Sequence, residues 1–361
     1  MQVRGEGVNF LQATVRRIFP QDSAAREQAR ARLEQLTMPH WALGDLMDLA
    51  LDLAGITRSQ APPVTRRKIV VMAGDHGVVA EGVSKFPSEV TVHMVHNFVA
   101  GGAGINALAR HAGAEVLVVD MGVAGDFDEL VRAGRVISKK IGRGTANMAQ
   151  GPAMTRTHAV LALEAGIQVA DSLADSTDVF GTGDMGIGNT TPSAAILAVL
   201  GGMSVADAAG RGTGLDDEQL RHKIEVIERA IACNRPDPKD PLDVLAKVGG
   251  FEIAGIAGLI LGAAANRKPV VVDGFISSAG ALIALALEPF VRDYIVCAHR
   301  SAESGHGLML ERLGRRPLLD LNLRLGEGTG AALAMHLLEA AVAVLTEVAT
   351  FAEAGVAGAD K

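Results

Sequence analysis

FGTGDMGIGNTT (residues 180–191) joins an apolar strand pattern to the helical pattern PSAAILAVL (192–200). Its glycines at 181, 183, 186 and 188 let several backbone N–H groups converge, and the N-terminus of the following helix adds positive potential. Both features suit a phosphate group. The segment therefore predicts an anion-binding turn at the carboxyl end of a strand. The alternative is a tight strand-to-helix turn that binds nothing.

Two nucleotide-binding motifs fit this segment poorly. Gly181, Gly183 and Gly186 satisfy G-x-G-x-x-G, but GRGTGLDDEQ (210–219) follows where a second strand ending in a ribose-binding acid is expected. A P-loop is excluded because no lysine follows the last glycine. A nucleotide-dependent dehydrogenase therefore stays only as an alternative interpretation.

The segments on either side alternate short apolar runs with longer Ala/Leu-rich helical patterns. This alternation predicts an α/β fold with a parallel sheet and helices on both faces. In such sheets, ligands bind beyond the carboxyl ends of the strands. The candidate strands are KIVVMAG (68–74), AEVLVVDMGV (114–123), DVFGTG (178–183), PVVVDG (269–274), DYIVCAH (293–299) and PLLDLNLRLG (317–326).

The two ends of the chain have helical rather than strand patterns. Residues 24–56 place apolar side chains at spacings of three and four, and a long helical pattern covers 328–354. We expect these ends to pack together as a small lobe. The predicted division is N-terminal helices over 1–60, a large α/β catalytic domain over 65–330, and a C-terminal helix over 331–361.

The composition of the chain argues against several classes of protein, such as nucleic-acid-binding and membrane proteins. A net charge of −7 and 3% aromatic residues argue against a nucleic-acid partner, which needs clustered cations or stacking rings. We found no uninterrupted apolar run of membrane-spanning length and no signal-peptide pattern, so no membrane association is expected. Two cysteines, Cys233 and Cys297, give no disulfide framework. The expected location is the cytoplasm.

LRLGEGTGAALAM (323–335) places Glu327 between two glycines, after an apolar segment and before a helix. Flanking glycines leave the carboxylate open to a ligand. An apolar ligand that covers it would raise its proton affinity and make it a usable base. The alternative is a glutamate that complements the dipole of the following helix.

Two further segments follow strands and carry polar side chains. AGDHGVVAEGVSKFPSEVT (73–91) contains His76 and Ser84, and His93 and His96 lie nearby, but their spacing matches no metal motif. We therefore predict no metal and a loop at the mouth of a pocket. CAHRSAESGHGLMLERLG (297–314) offers Ser301, without the G-x-S-x-G pattern of a hydrolase.

Taken together, AGDHGV, GVS, GTGDMGIGNTT, VVDGFISSAG, AHRSAE and LRLGEGTGAALA resemble the nicotinate-nucleotide:dimethylbenzimidazole phosphoribosyltransferase family of cobalamin lower-ligand synthesis. The resemblance runs in order from about residue 65 to the end. It implies a Rossmann-like large domain, a homodimer, no cofactor and no required metal. It also implies that the substrates are nicotinate mononucleotide and 5,6-dimethylbenzimidazole. A small-molecule-binding regulator is the non-enzymatic alternative.

The resemblance also assigns roles to individual residues. It implies that Glu327 is the catalytic base and that Ser84 belongs to the benzimidazole pocket. The residues implied for the ribose-phosphate site are Gly186, Lys223, Ser301, Arg324, Leu325 and Gly326. Asp184 stands where the family commonly has glutamate, so this substrate-site carboxylate is one methylene shorter here.

Overall fold

The computed structural model describes residues 10–357, and a six-stranded sheet is its centre. Every neighbouring pair of strands runs parallel, in the order β3-β2-β1-β4-β5-β6. The strands are β1 (Arg67–Gly74), β2 (Ala114–Gly122), β3 (Ile137–Ser138), β4 (Val179–Met185), β5 (Val270–Val272) and β6 (Ile295–Cys297). The prediction of a Rossmann-like parallel sheet is confirmed.

The strand order reverses between β1 and β4, because the chain builds one half outward to β3 and then returns to the centre. Loops leaving these two strands diverge to opposite sides and open a crevice at their carboxyl ends. The glycine-rich segment after β4 and the loop after β1 therefore border the same crevice.

Sixteen α-helices surround the sheet within residues 10–357. They are α1 (Phe10–Val15), α2 (Ser23–Leu33), α3 (Asp45–Thr57), α4 (Glu89–Ala100), α5 (Gly104–His111), α6 (Asp128–Arg132), α7 (Arg156–Leu173), α8 (Thr190–Gly201), α9 (Val205–Ala208), α10 (Asp217–Asn234), α11 (Pro241–Val248), α12 (Phe251–Ala265), α13 (Phe275–Leu287), α14 (His306–Leu313), α15 (Thr329–Glu347) and α16 (Phe351–Ala354). Short 3₁₀ turns cover Gly77–Glu81, Ala174–Ser176 and Pro289–Tyr294.

The central strand β1 is apolar on both faces because both faces are covered. Val70 and Met72 join a cluster with α7, α8, α12 and α13, whereas Ile69 and Val71 join one with α3, α5 and α15. Successive side chains of a strand point to opposite faces, so a strand buried on both sides has no polar alternation. This is why the continuous apolar runs were recognisable as strands.

The last predicted strand, 317–326, is wrong. In the structure this segment forms only an isolated bridge, in which Leu319 pairs with His299 just beyond β6. Pro317 has no N–H to donate, and Asn322 adopts a left-handed backbone with φ 56°, which ends extended pairing. The segment is instead an irregular connection that leads into α15.

The other differences between the predicted and the observed strands are in their lengths. The last two confirmed strands are shorter than predicted, since Asp293 and Tyr294 lie in a 3₁₀ turn that precedes β6. Strand β4 is longer and includes Asp184 and Met185. The two-residue edge strand β3 was not predicted, because so short a run carries no periodic signal.

The helices at the two chain ends contact each other. Arg32 in α2 donates hydrogen bonds to the backbone oxygens of Leu345 and Val348, and Leu36 forms an isolated bridge with Thr350. Helix α15 also packs against the sheet, so it contacts both the end helices and the catalytic edge. The division into two domains stays a prediction, and its outer residues 1–9 and 358–361 lie outside the described chain.

By length and composition, α15 is apolar enough to cross a membrane, with a mean hydropathy of 1.5 over its window. Half of that window is buried inside the protein, against α3, α5 and strands β4 and β5. Such packing is typical of a core helix in a folded domain.

Candidate active site

A cavity of about 330 Å³ lies at the carboxyl edge of the sheet, in the crevice between β1 and β4. Loops after β1, β4, β5 and β6 and the segment before α15 form its wall. Eight of the nine residues predicted for the site line it: Ser84, Asp184, Gly186, Ser301, Arg324, Leu325, Gly326 and Glu327. Lys223 is the exception and lies directly behind the wall.

Glu327 occupies an unusual backbone turn. Gly326, Glu327 and Gly328 have φ values of 83°, 62° and 94°, so three successive residues are in the left-handed region. Glycine adopts this region without strain, whereas glutamate does not. The turn also sits directly on β4, where a Cβ on Gly183 would lie 2.5 Å from the backbone oxygen of Glu327. Glycines at 183, 326 and 328 are therefore needed to bring Glu327 to the cavity.

The Glu327 side chain is only 7% exposed, and it lines the cavity at the N-terminus of α5. Its Oε2 accepts a hydrogen bond from the backbone N–H of Ile105 at 3.1 Å. Burial raises the pKa of Glu327, and the Ile105 hydrogen bond only partly opposes this effect. The carboxylate thus contacts the N-terminus of a different helix, whereas the alternative interpretation placed it on the helix that follows it.

Asp184 is buried at the end of β4 and lines the same cavity. Its Oδ2 accepts a hydrogen bond from Asn189 Nδ2 at 3.0 Å, while Oδ1 has no partner within the described residues. Burial, followed by the nearby carboxylate of Asp273, raises its pKa well above the usual range. A neutral Asp184 would offer a hydrogen-bond donor to the cavity.

Lys223 in α10 is completely buried. Its Nζ donates to Thr190 Oγ1 at 2.7 Å and to the Gly210 backbone oxygen at 3.2 Å. Thr190 lines the cavity, so the ammonium lies one side chain away from it. Burial lowers the pKa of Lys223 to about 8, although nearby Glu303 favours its charged form. A buried position is unexpected for a lysine in an amphipathic helix, which is usually solvated.

The remaining predicted residues come from four different segments around the cavity. Ser301 is buried, and its N–H donates to His306 Nδ1 at 2.7 Å, which fixes the loop after β6. Arg324 and Leu325 are at the mouth, where Leu325 is 61% exposed. Gly186 lies in the turn after β4, and Ser84 lies on the loop after β1.

Sequence reasoning missed part of the wall. One side is apolar and is formed by Val83, Phe86, Val90, Met94 and Met185. Their local patterns are those of ordinary core residues, so no sequence signal separates them. Polar residues were missed as well, among them His299, which lines the cavity, and Asp273, which lies behind it. Both lie at the carboxyl ends of predicted strands, Asp273 within 269–274 and His299 at the end of 293–299, and that position alone could have marked them.

The histidines near the first loop do not form one cluster. His76 is buried and its Nε2 lies 2.8 Å from Glu252 Oε1, whereas His93 and His96 are exposed. Burial alone lowers the pKa of His76, but the charge and hydrogen bond of Glu252 raise it overall. Among residues 10–357, no three His, Cys, Asp or Glu side chains are grouped as a metal site.

The chain is similar to proteins of one enzyme class, the phosphoribosyltransferases. Residues 18–356 match the model of a phosphoribosyltransferase family, and the chain belongs to that family. The fold, the crevice and the glycine-rich turn agree with this membership. It favours the transferase prediction over both the dehydrogenase and the regulator.

Individual relatives within this family share one enzyme name. The chain is 61% identical, over 98% of its length and 100% of the relative's, to the nicotinate-nucleotide–dimethylbenzimidazole phosphoribosyltransferase of Desulfotalea psychrophila. It is 62% identical to the protein of the same name from Syntrophotalea carbinolica, over 97% and 99% of the two chains. The crystal structure of CobT from Thermus thermophilus superposes with a TM-score of 0.89 at 48% identity, covering 93% of this chain and 100% of that one.

Proposed function

We propose that this enzyme transfers 5-phosphoribose from nicotinate mononucleotide to 5,6-dimethylbenzimidazole. The products are α-ribazole 5′-phosphate and nicotinate. The observation that carries the proposal is the position of Glu327: a buried carboxylate of raised pKa faces a cavity with an apolar wall on one side and an anion-binding turn on the other. The apolar wall suits an aromatic acceptor, and the turn suits the phosphate of the donor.

The donor's phosphate is assigned to the turn after β4. Gly186, Gly188 and Thr190 line the cavity, and Thr190 is the first residue of α8, whose N-terminus favours an anion. The two glycines let this turn pack closely on the end of β1 and the loop after it, since a Cβ on Gly186 would lie 2.3 Å from the Gly74 backbone oxygen. Lys223 supplies a positive charge through Thr190 from behind. Ser301 and Arg324 lie close enough around the cavity to contact the ribose and the phosphate, and Asp184 faces the same space.

The acceptor is assigned to the apolar wall. Phe86, Val90, Met94 and Met185 present the surface that a dimethyl-substituted ring would bury, and Leu325 closes the mouth. Ser84 adds a hydroxyl on the same side. Covering Glu327 with this ring would further exclude water from the carboxylate and strengthen it as a base.

The chemical step needs one proton transfer and one substitution. Glu327 accepts the N–H proton of the benzimidazole, and the lone pair of the other ring nitrogen forms a bond to C1′ of the ribose. The bond between C1′ and the pyridinium nitrogen breaks, and its electron pair returns to that nitrogen. Nicotinate leaves with a neutral ring nitrogen, so no acid and no pyrophosphate-binding metal is required. Attack opposite the leaving group inverts C1′.

Assembly and location are also proposals. The resemblance supports a homodimer, which light scattering would test as a mass twice that of the chain. Both cysteines are unpaired, Cys233 exposed and Cys297 buried, and burial raises the pKa of Cys297 to about 12. Unpaired thiols suit the reducing cytoplasm.

The direct test is turnover of nicotinate mononucleotide with dimethylbenzimidazole by purified, chelator-treated enzyme. We expect α-ribazole phosphate to accumulate at the same rate before and after chelation. No product, or a rate restored only by Mg²⁺ or Zn²⁺, would contradict the proposal. Titration with NAD, without dimethylbenzimidazole, tests the dehydrogenase alternative. That alternative predicts that NAD binds and that the enzyme reduces it when a hydride donor is added.

A further inference from the structure

The turn that carries Glu327 needs an explanation beyond its glycines. Glycine makes a left-handed turn possible, but it does not hold the chain there, since glycine adopts many other conformations equally well. Glu327 itself has φ 62°, and such a non-glycine residue persists where its surroundings determine the backbone. A group that binds this turn directly should therefore exist.

Asp273 is that group. It follows β5 and is 1% exposed. Its Oδ2 accepts a hydrogen bond from Gly328 N–H at 3.1 Å, and its Oδ1 accepts one from Ala331 N–H at 3.0 Å. The two carboxylate oxygens thus bind the residue directly after Glu327 and the first turn of α15.

Asp273 is itself bound to β4 and packs beside the end of β6. Its backbone N–H donates to Thr182 Oγ1 in β4 at 3.1 Å. Its Oδ1 lies 3.8 Å from His299 Nδ1, a buried atom with no hydrogen-bond partner in the described part of the chain. Burial lowers the pKa of His299 to about 4, so a neutral imidazole lies beside the carboxylate. Asp273 is therefore fixed by its place at the end of β5 and by its hydrogen bond to β4, and the neutral His299 packs beside its carboxylate.

We propose that Asp273 is a positioning residue for the transfer reaction. Its carboxylate holds the turn 326–328 in the left-handed conformation that directs the Glu327 carboxylate to the Ile105 N–H and to the acceptor. This inference rests on the proposed role of Glu327 as the base. It differs from simple helix capping, because a cap would affect folding stability without acting through Glu327.

Asp273→Asn is the first variant to test. The amide keeps the shape and one acceptor oxygen, but it places an NH₂ group against one of the two backbone N–H groups. We expect kcat to fall about 10- to 100-fold, while the KM values of both substrates change less than about twofold, as for loss of an interaction made only in the transition state. Asp178→Asn is the matched control: Asp178 is also buried and accepts a backbone N–H, from Arg66, but at the opposite end of β4. It should leave kcat unchanged.

The deciding measurement is a double-mutant cycle with Glu327→Gln. If Asp273 acts through Glu327, the double variant should be no slower than Glu327→Gln alone. Effects that multiply, or a normal kcat for folded Asp273→Asn, would overturn the inference. If Asp273→Asn does not fold, Thr182→Val, which removes the acceptor for the Asp273 N–H, takes its place in the cycle with the same two outcomes. An inactive wild type, or a Glu327→Gln enzyme with near-normal kcat, would instead contradict the proposed function.

Discussion

At the scale of single residues, the chemistry depends on how burial changes proton affinity. Glu327, Asp184 and Asp273 are buried carboxyl groups around one cavity, and burial raises the pKa of each, for Asp273 to about 7. They differ in their hydrogen bonds. Asp273 accepts from two backbone N–H groups, Glu327 accepts from one, and Asp184 accepts from a side-chain amide. Only Glu327 combines a raised pKa with a position between two flanking glycines at the cavity.

Replacing Glu327 with glutamine tests its role as the base. The amide is nearly isosteric and can still accept from Ile105 N–H, so fold and substrate binding should persist. We expect kcat to fall about 100-fold or more, equal to about 3 kcal/mol of transition-state stabilisation, with little change in KM. Glu339→Gln, which alters an exposed glutamate paired with Arg67, is the control. A near-normal kcat in steady-state assays, with a slightly lower melting temperature, would support the helix-dipole alternative.

The pH dependence of kcat/KM should report the raised pKa of Glu327. A base works only when deprotonated, so activity should be lost as pH falls through that pKa. The acid limb should therefore lie above 4.5, the ordinary value for glutamate. Ile105→Pro removes the N–H that lowers this pKa, at a helical position where proline is tolerated, and should move the limb to higher pH. If the limb persists in the residual activity of Glu327→Gln, another group, such as Asp273, causes it.

At the scale of elements, the strand-to-helix connections were predictable and the contacts between them were not. Runs such as KIVVMAG are apolar throughout because both faces of the sheet are covered, and glycine follows them where the chain turns into the crevice. These local features identified the strands, the turn after β4 and Glu327. PLLDLNLRLG has the same composition, but Pro317 and a left-handed Asn322 exclude it from the sheet. Whether such an apolar run becomes a strand depends on finding a hydrogen-bonding partner strand, and the sequence does not show that partner.

Lys223 is the clearest case of information that only packing supplies. Helix α10 has the pattern of a surface helix, yet α8, α9 and α11 pack against it and turn Lys223 inward beneath the 210–214 loop. The same holds for Asp273, whose partners Gly328 and Ala331, at the start of α15, lie more than fifty residues away. Neither the contacts of Lys223 nor those of Asp273 can be inferred from residue type and spacing. The roles of both residues therefore need experiments on the folded enzyme.

Lys223→Met should weaken binding of the donor. Methionine keeps most of the buried volume but removes the charge behind Thr190, so the KM for nicotinate mononucleotide should rise about 10-fold or more. Because burial lowers the pKa of Lys223 to about 8, the wild-type KM should also rise above that pH as the ammonium loses its proton. Steady-state kinetics at saturating acceptor provide both measurements. Arg221→Ala, an exposed position on the same helix, is the control, and an equal effect there would argue against a specific role.

At the scale of the whole molecule, α15 connects the catalytic edge with the helices of the chain ends. It begins two residues after Glu327 and ends where Arg32 binds the Leu345 and Val348 oxygens. One hydrophobic cluster includes Leu33 of α2, Ile69 of β1 and Leu345 of α15. The apolar contacts thus continue from the sheet into the end helices. Continuous packing of this kind favours cooperative unfolding over the independent melting of two domains.

Leu345→Ala tests this cooperativity. Leu345 is fully buried, so its truncation should cost about 2 to 5 kcal/mol, and in a chain of this size the melting temperature should fall by about 3 to 7 °C. Because Leu345 lies at the end of α15 remote from Glu327, kcat of the folded enzyme at 25 °C should stay within about twofold of wild type. Leu161→Ala, at a half-exposed position on α7, should change the melting temperature far less. Calorimetry should record one transition that moves as a whole. A second transition, appearing in the variant while the first stays at its wild-type temperature, would mean that the end helices form a separately folding lobe.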